Sequence, residues 1–145
     1  MSDIAQNEQS SQSDQSDRID RIHRNKQIAQ GFFDLAFNDK LPVEAVAKYV
    51  GSTYIQHNPQ APDGSEAFIR FVTEFGTEFP ELSMDFMRVL AEDDLVVLHS
   101  LMRTSPDDRG TALVDIVRIR DGRIVEHWDV IQPIPETSAN DNTMF

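Results

Sequence analysis

Two alternating segments meet at a tight turn in the stretch LVDIVRIRDGRIVEHWDV, which runs from Leu113 to Val130. Apolar and polar residues alternate on both sides of Asp121-Gly122, and this dipeptide between alternating segments is a strong signal for a β-hairpin. Two further alternating segments, LSMDFMRVL and LVVLHSLMR, precede the stretch. The second half of the sequence therefore predicts four antiparallel strands.

The first half of the chain has the period of a helix. Apolar residues recur at offsets of three to four between Ile19 and Ala36, and again between Phe68 and Phe75. A short helix, LPVEAVAKYV, is predicted between them, and Pro80 ends the last helix. The segment YIQHNPQAPDG is predicted to be irregular or briefly extended. Helices followed by strands predict an α+β domain, with the helices on one face of a curved sheet.

Composition excludes several classes of protein. The chain has 145 residues, with 13 Lys and Arg against 25 Asp and Glu, and its net charge is −12. This acidity argues against nucleic acid or an anionic membrane as partner, since both require a basic surface. The absence of Cys excludes a disulfide framework and a thiol nucleophile. With no apolar run near the ~18 residues of a membrane span and no secretory signal, we expect a cytoplasmic protein.

The domain boundaries follow from local composition. Residues 1–17 are mostly Ser, Gln and Asp, so this tail is predicted to be disordered because it cannot bury enough apolar surface to offset its ordering entropy. A single domain is predicted over residues 18–135. Residues 136–145 are predicted to form a C-terminal tail.

The hairpin register predicts which side chains share a face. A turn at Asp121-Gly122 places Arg120 opposite Arg123. A turn at Glu92-Asp93 places Phe86 opposite His99, and a loop that closes symmetrically about Asp107 places His99 opposite Asp115. One row of side chains then crosses the more apolar face of the sheet, which the helices are expected to cover. The members of this predicted row are Phe86, His99, Asp115 and Trp128.

Asp115 is the most informative member of the row. A carboxylate on a core-facing strand costs several kcal/mol unless it is paired or hydrogen-bonded. His99 and the indole N–H of Trp128 are placed to meet that need. Two interpretations follow, an acid/base pair at the floor of an apolar pocket or a buried hydrogen-bond network that only fixes the sheet. The pattern alone does not separate them.

The remaining histidines occupy separate segments. Tyr54 and His57 lie in the irregular segment that passes near the sheet, and His57 is predicted at the mouth of the pocket. His127 has the opposite strand parity to Asp115, so it is expected outside the pocket. Because the histidines are spread over different segments and both sheet faces, they lack the spacing of metal ligands, and no metal site is predicted.

Three stretches together resemble a known family. They are YIQHNP at residues 54–59, AEDDLVVLH at 91–99 and VDIVRIRDGRIVEHWDV at 114–130, and they resemble the SnoaL-like, or polyketide cyclase-like, proteins. The closing ANDNTMF is similar to a bacterial subgroup described as predicted aldol-condensation-catalysing enzymes. The resemblance implies a cone-shaped, nuclear-transport-factor-2-like fold, in which helices and a curved, mostly antiparallel sheet enclose a pocket. It also implies a homodimer through the outer face of the sheet.

The sequence departs from the polyketide cyclases at one position. In those enzymes the acid/base is an Asp on the last strand, and the corresponding residue here is Gln132. Glutamine cannot exchange a proton at neutral pH, so the acid/base role is not carried over. The side chain of Gln132 could still orient a substrate oxygen.

Two classes of function remain. The first is a cofactor-free enzyme that removes a proton α to the carbonyl of a small apolar compound, in an aldol-type cyclisation, an isomerisation or a lyase reaction. In a close variant the same pocket activates water for hydrolysis or hydration. The second class is non-catalytic, either an apolar-ligand-binding protein of the same fold or a dimeric interaction module. The candidate catalytic residues are His99, Asp115 and His57, and the candidate substrate contacts are Tyr54, Phe86, Trp128 and Gln132.

Overall fold

The computed structural model describes residues 2–145, with side chains from residue 12 onward. Three α-helices pack on a five-stranded sheet with strand order β1-β5-β4-β3-β2. Strand β1 runs parallel to β5, and the other neighbours are antiparallel. This architecture confirms the predicted α+β class. The elements are α1 (Ser2–Phe33), α2 (Pro42–Tyr49), β1 (Val50–Gln56), α3 (Ser65–Glu78), β2 (Ser83–Glu92), β3 (Leu95–Arg103), β4 (Thr111–Arg120) and β5 (Arg123–Pro133).

Helix α1 begins far upstream of the predicted domain. Residues 2–17 belong to this helix, whereas the sequence predicts a disordered tail there. The chain has no Gly or Pro before Gly31, so no helix-breaking residue stops the helix from extending toward the N-terminus beyond its packed part. The side chains described in this stretch, residues 12–17, are exposed. The domain boundary near residue 18 therefore stays a prediction.

The segment predicted to be irregular or briefly extended begins inside a fifth strand, which starts upstream of it. Val50–Gln56 pairs with β5 through Ile55 opposite Glu126 and Gln56 opposite His127. This edge strand buries only Val50 and Tyr54, so the alternation that reveals a strand is weak in its sequence. The sheet therefore has five strands rather than the predicted four.

The core lies between the helices and the inner face of the sheet. Phe32 at the end of α1 is fully buried and stacks on Phe68 of α3 at a ring-centroid distance of 4.8 Å. A π-helical turn, Asp34–Asn38, extends α1 and adds buried Phe37. The sheet contributes Leu98, Ile124 and other apolar side chains with no exposed surface. Burying each such side chain contributes about 1.5–3 kcal/mol, so this face holds the helices on the sheet.

An extra residue in β5 changes which of its side chains face the core. Ile119 pairs with Ile124, but Arg118 pairs with Glu126, so Val125 has no partner across the ladder. Such a bulge turns every side chain beyond it to the opposite face from the one that simple alternation predicts. His127 therefore faces the core and Trp128 the outer face, which is the reverse of the predicted arrangement.

The turn before β3 adds a second difference in register. Glu92 pairs with Leu95, so the turn is Asp93-Asp94 rather than Glu92-Asp93. Asp93 adopts a φ of 51°, which Asp tolerates better than most residues.

The observed β3–β4 register breaks the predicted row. Leu98, not His99, lies opposite Asp115, and His99 pairs with Val114. His99 is therefore on the outer face of the sheet. Phe86 pairs with Ser100, just before a further register shift in β2.

Within residues 2–145, no helix is long and apolar enough to cross a membrane. The cytoplasmic location stays a prediction.

Gly110, just before β4, is required by both its conformation and its surroundings. Its φ is +96°, and an added Cβ would lie 2.6 Å from Leu101 Cδ1 and 2.8 Å from the Met102 carbonyl oxygen. Gly122 also has a positive φ, +72°, but nothing lies within 4 Å of an added Cβ.

We expect Gly122→Ala to lower the free energy of unfolding by about 1 kcal/mol, and Gly110→Ala by about 3 kcal/mol. Urea denaturation measures both, and equal losses would contradict the steric argument.

Candidate acid/base site

A cavity of about 280 Å³ lies between the helices and the inner face of the sheet. Its walls are mainly aromatic and apolar, and five phenylalanines dominate them: Phe33, Phe37, Phe68, Phe71 and Phe75. Polar side chains converge where β4 and β5 meet the end of β1. These polar residues are Gln56, Asn58, Asp115, His127 and Asp129. An apolar cavity with a few convergent polar groups is the usual form of a small-molecule site.

A buried carboxylate–imidazole pair lies at the floor of this cavity. Asp115 Oδ1 is 2.9 Å from His127 Nε2, and each residue is only 4% exposed. The two residues come from neighbouring strands, and the bulge at Val125 is what brings His127 to the same face as Asp115. The carboxylate predicted to be costly is therefore paired, but with His127 rather than with His99.

The end of β1 sets the hydrogen-bonding pattern of the histidine. The backbone N–H of Asn58 donates to Gln56 Oε1 at 3.0 Å, so this oxygen, not the amide nitrogen, faces the ring. Gln56 Oε1 also lies 2.9 Å from His127 Nδ1. Since both atoms cannot be acceptors, His127 Nδ1 carries a proton and donates it to Gln56. His127 Nε2 is therefore the nitrogen left to exchange a proton with Asp115.

The third ionisable group of the site is Asp129. It pairs with Asp115 across β4 and β5, lines the cavity and is half-buried. Asn58 Nδ2 donates to Asp129 Oδ2 at 2.8 Å. The other carboxylate oxygen remains available to a molecule in the cavity. Gln56 and Asn58 thus hold His127 and Asp129 in place from the same short segment.

Burial separates the protonation behaviour of the acidic groups. Removal from water raises the pKa of Asp115, the hydrogen bond and charge of His127 oppose this rise, and the carboxylate of Asp129 adds to it. Burial likewise raises the pKa of the Tyr54 phenol, and the carboxylates of Asp115 and Asp129 raise it further. Asp115 Oδ2 and the Tyr54 hydroxyl have no hydrogen-bond partner among the described residues. Asp115 is accordingly the carboxyl of this site best able to retain a proton.

The two histidines proposed from the sequence as catalytic lie on the outer face. His99 Nδ1 is 2.9 Å from Arg88 Nη1, and its ring stacks on Phe145. His57 Nε2 is 2.9 Å from Glu126 Oε1, and its ring lies parallel to the Trp128 indole at 4.7 Å. Neither lines the cavity described above, so the predicted placement of both was wrong. His99 is on the outer face because of the register of β3. His57 is there because it directly follows β1, a strand that the sequence did not predict.

The four proposed substrate contacts also lie outside the cavity lining. Tyr54 is buried behind the site, with its ring stacked on His127 at 6.2 Å, and Phe86 packs against the core. Trp128 faces outward, where the Arg118 guanidinium lies 5.6 Å from its ring. Gln132 is exposed near the end of β5. Asp115 is thus the one proposed site residue, among those the structure describes, that reaches the cavity.

Sequence reasoning missed four residues of the site: Gln56, Asn58, His127 and Asp129. Their signal was the density of polar residues in QHN and EHWD, next to strands that otherwise alternate. Strict alternation assigned His127 and Asp129 to the outer face, because a one-residue bulge leaves no trace in the apolar pattern.

The cluster also brings together groups that metals use as ligands. Asp115, His127 and Asp129 each offer one ligand atom, and these atoms all lie within 4.8 Å of one another. The cluster contains one histidine and two aspartates, whereas the expectation of no metal site concerned the spread of the histidines, so that expectation stays a prediction. The separation of 2.9 Å between Asp115 Oδ1 and His127 Nε2 is, however, fully explained by a hydrogen bond.

The raised pKa of Asp115 gives the protein a characteristic dependence of stability on pH. The unfolded carboxyl titrates near its ordinary value of 3.8, while the folded one keeps its proton to higher pH. Wild type should therefore lose stability relative to Asp115→Asn as the pH rises above about 4, by up to about 1.4 kcal/mol per pH unit. Denaturation of both proteins at pH values about one unit apart, between about pH 4 and 8, measures this difference in the free energy of unfolding. The exposed Asp107→Asn is the control, and a flat difference for Asp115→Asn would refute the assignment.

Comparison with known proteins agrees with this architecture. No curated protein matches the chain by sequence. A candidate ketosteroid isomerase from Kribbella flavida superposes with a TM-score of 0.65 at 18% identity, over 82% of this chain and 85% of that one. A candidate polyketide cyclase from Bacillus cereus gives 0.62 at 21%, over 72% and 71%. AclR from Streptomyces galilaeus, a candidate hydroxylase, gives 0.63 at 20%, over 79% and 82%.

At such identities these structures establish the fold alone, which is the predicted nuclear-transport-factor-2-like one. Residues 29–127 match the SnoaL-like domain, a span that includes the end of α1, helices α2 and α3, strands β1 to β4 and both members of the buried pair. The chain belongs to the SnoaL-like family.

Proposed function

We propose that this protein is an enzyme that performs general acid/base chemistry on a small apolar carbonyl compound. The observation that carries the proposal is the Asp115–His127 pair, buried at the floor of an aromatic cavity beside a second carboxylate. Relatives with this fold include a candidate cyclase and a candidate isomerase, which is consistent with such chemistry. The reaction class is proton removal α to a carbonyl, as in aldol-type cyclisation or isomerisation.

The two carboxyls have different environments, and this favours different roles. Asp129 is half-buried, receives a hydrogen bond from Asn58 and keeps an oxygen toward the cavity, so we assign it as the base. Asp115 is buried and favours its protonated form, so we assign it as the acid that donates to the developing enolate oxygen. Two carboxyls of one site that lie in different environments can divide acid and base roles in this way.

The remaining polar groups position the acid and the base. His127 holds Asp115 through Nε2, and Gln56 holds His127 through Nδ1. Tyr54 lies behind the imidazole ring and excludes water from it. Since these groups hold their partners before substrate arrives, little reorganisation is needed in the transition state.

A hydrogen-exchange experiment tests the proposal without knowledge of the natural substrate. Benzylacetone is incubated with the protein in D₂O, and deuterium incorporation α to the carbonyl is followed by mass spectrometry. We expect incorporation above the buffer rate, with Asp129→Asn and Asp115→Asn each lowering it by about 10²–10⁴-fold.

His127→Gln and His99→Gln form a matched pair for the same measurement. Loss of exchange is expected for His127→Gln, because Asp115 then loses its proton partner, and normal exchange for His99→Gln on the outer face. The reverse result would overturn the assignment. If benzylacetone binds but wild type exchanges no deuterium, the alternative of a non-catalytic ligand-binding protein is favoured instead.

We also propose that the protein forms a homodimer through the outer face of its sheet. Several apolar side chains on this face are exposed, with Val130 at 66%, Leu90 at 61% and Ile55 at 47%. Large apolar side chains exposed on one face of a sheet are common in protein interfaces. The outward-facing Trp128 adds aromatic area to the same face.

One charge introduced on this face tests the dimer. We expect sedimentation velocity at micromolar concentration to show a dimer for wild type and a monomer for Val130→Lys, because a lysine there would be buried without a partner. Val43→Lys on α2 is the control, since Val43 is 58% exposed but lies on a helix. A wild-type monomer would exclude the dimer.

A further inference from the structure

We infer that the cavity recognises its substrate at two ends, and that the substrate is an elongated, uncharged carbonyl compound with a hydroxyl group at the end remote from the carbonyl. The carbonyl end rests on the proposed function. The hydroxyl end rests on a second polar group of residues, Thr104, Asp108 and Thr111, which line the same cavity away from the Asp115–His127 pair.

The two polar ends lie along one strand. Thr111, Leu113 and Asp115 are successive side chains of β4 on the cavity side. Thr111 and Asp115 are four residues apart, which corresponds to about 13 Å along a strand. Between them, Leu113 pairs with Ile131, and both line the cavity. A ligand that spans this distance therefore meets a polar end, an apolar middle and a second polar end.

The second end accepts hydrogen bonds. Asp108 Oδ2 receives the backbone N–H of Thr104 at 2.9 Å and its hydroxyl at 3.0 Å, and Asp108 Oδ1 receives the N–H of Gly110 at 3.0 Å. These bonds lower the pKa of Asp108 and keep its carboxylate charged. The hydroxyl of Thr111 makes no hydrogen bond within the part of the chain whose side chains are described. A ligand hydroxyl can donate to this end and also accept from Thr111.

The charges around the cavity exclude an anionic ligand. The carboxylates of Asp108 and Asp129 line it, and no Lys or Arg does so among the described residues. A ligand carboxylate or phosphate would lose its hydration without gaining a cationic partner. The volume of about 280 Å³ is at the lower limit for small-molecule sites, which favours compounds with one or two rings.

Three ketones of the same skeleton test this inference: para-hydroxybenzylacetone, benzylacetone and para-carboxybenzylacetone. Their dissociation constants are measured by isothermal titration calorimetry with the intact protein. We expect the hydroxyl compound to bind about tenfold more tightly than benzylacetone, since a hydrogen bond to a charged acceptor is gained. The carboxylate is expected to bind at least about tenfold more weakly than benzylacetone.

Thr111→Val should reduce the preference for the hydroxyl compound, because it removes the hydrogen bond that Thr111 donates to the ligand, and Thr53→Val on the exposed side of β1 should retain the full preference. Equal binding of the three ketones, no binding of any of them, or an unchanged preference in Thr111→Val would overturn the inference. Because the measurement is binding, a preserved hydroxyl preference without deuterium exchange would contradict only the acid/base function. Exchange without a hydroxyl preference would contradict only the inference made here.

Discussion

The unpaired residue at Val125 is the constraint on which the site depends. Without it, alternation from the Asp121-Gly122 turn would direct His127 and Asp129 to the outer face and Trp128 to the cavity. The bulge keeps Ile124 in the core and still turns His127 inward three residues later. A bulge next to a functional site that re-aims a side chain is a recurring device in sheets. Here it creates the polar floor of an otherwise apolar cavity.

The polar floor is stable because its members satisfy one another. A lone carboxylate at the depth of Asp115 would cost several kcal/mol, and the hydrogen bond between Asp115 and His127 offsets that cost. His127 is in turn fixed by Gln56, whose orientation is fixed by the backbone of Asn58. On the outer face, a second group of side chains satisfies its members in the same way, because Arg118 binds Glu126 and Asp94 at 2.8 Å each. That second cluster contains His57 and Trp128, so two residues expected in the pocket instead stabilise the opposite surface.

Sequence reasoning reached the fold class, the three helices, four of the five strands and the special position of Asp115. These features depend on local periodicity and on the Asp121-Gly122 turn, both of which can be read from the chain. The partner of Asp115 was not predicted correctly, because it depends on register. A one-residue difference in the β3–β4 register moved His99 away, and one extra residue at Val125 brought His127 in. Single-residue shifts reverse a face without changing the apolar pattern, and the weak alternation of β1 hid the strand that carries Gln56.

The parallel edge strand has a consequence for how the site forms. Gln56 and Asn58 meet residues of β5 that lie 71 positions away in the sequence, whereas Asp115 and His127 are only 12 apart. Hairpin contacts of short range form early in folding, while long-range pairing incurs a larger loop-closure entropy. The β4–β5 hairpin can therefore bring Asp115 and His127 together before β1 arrives. β1 and β2 each have one neighbour in the sheet, but the pairing of β1 is shorter and is interrupted by a register shift, so β1 is the edge strand more easily released by local opening. When β1 pairs with β5, Gln56 orients His127 and Asn58 orients Asp129. The fraction of molecules with a complete site therefore depends on how stably the edge strand β1 is paired.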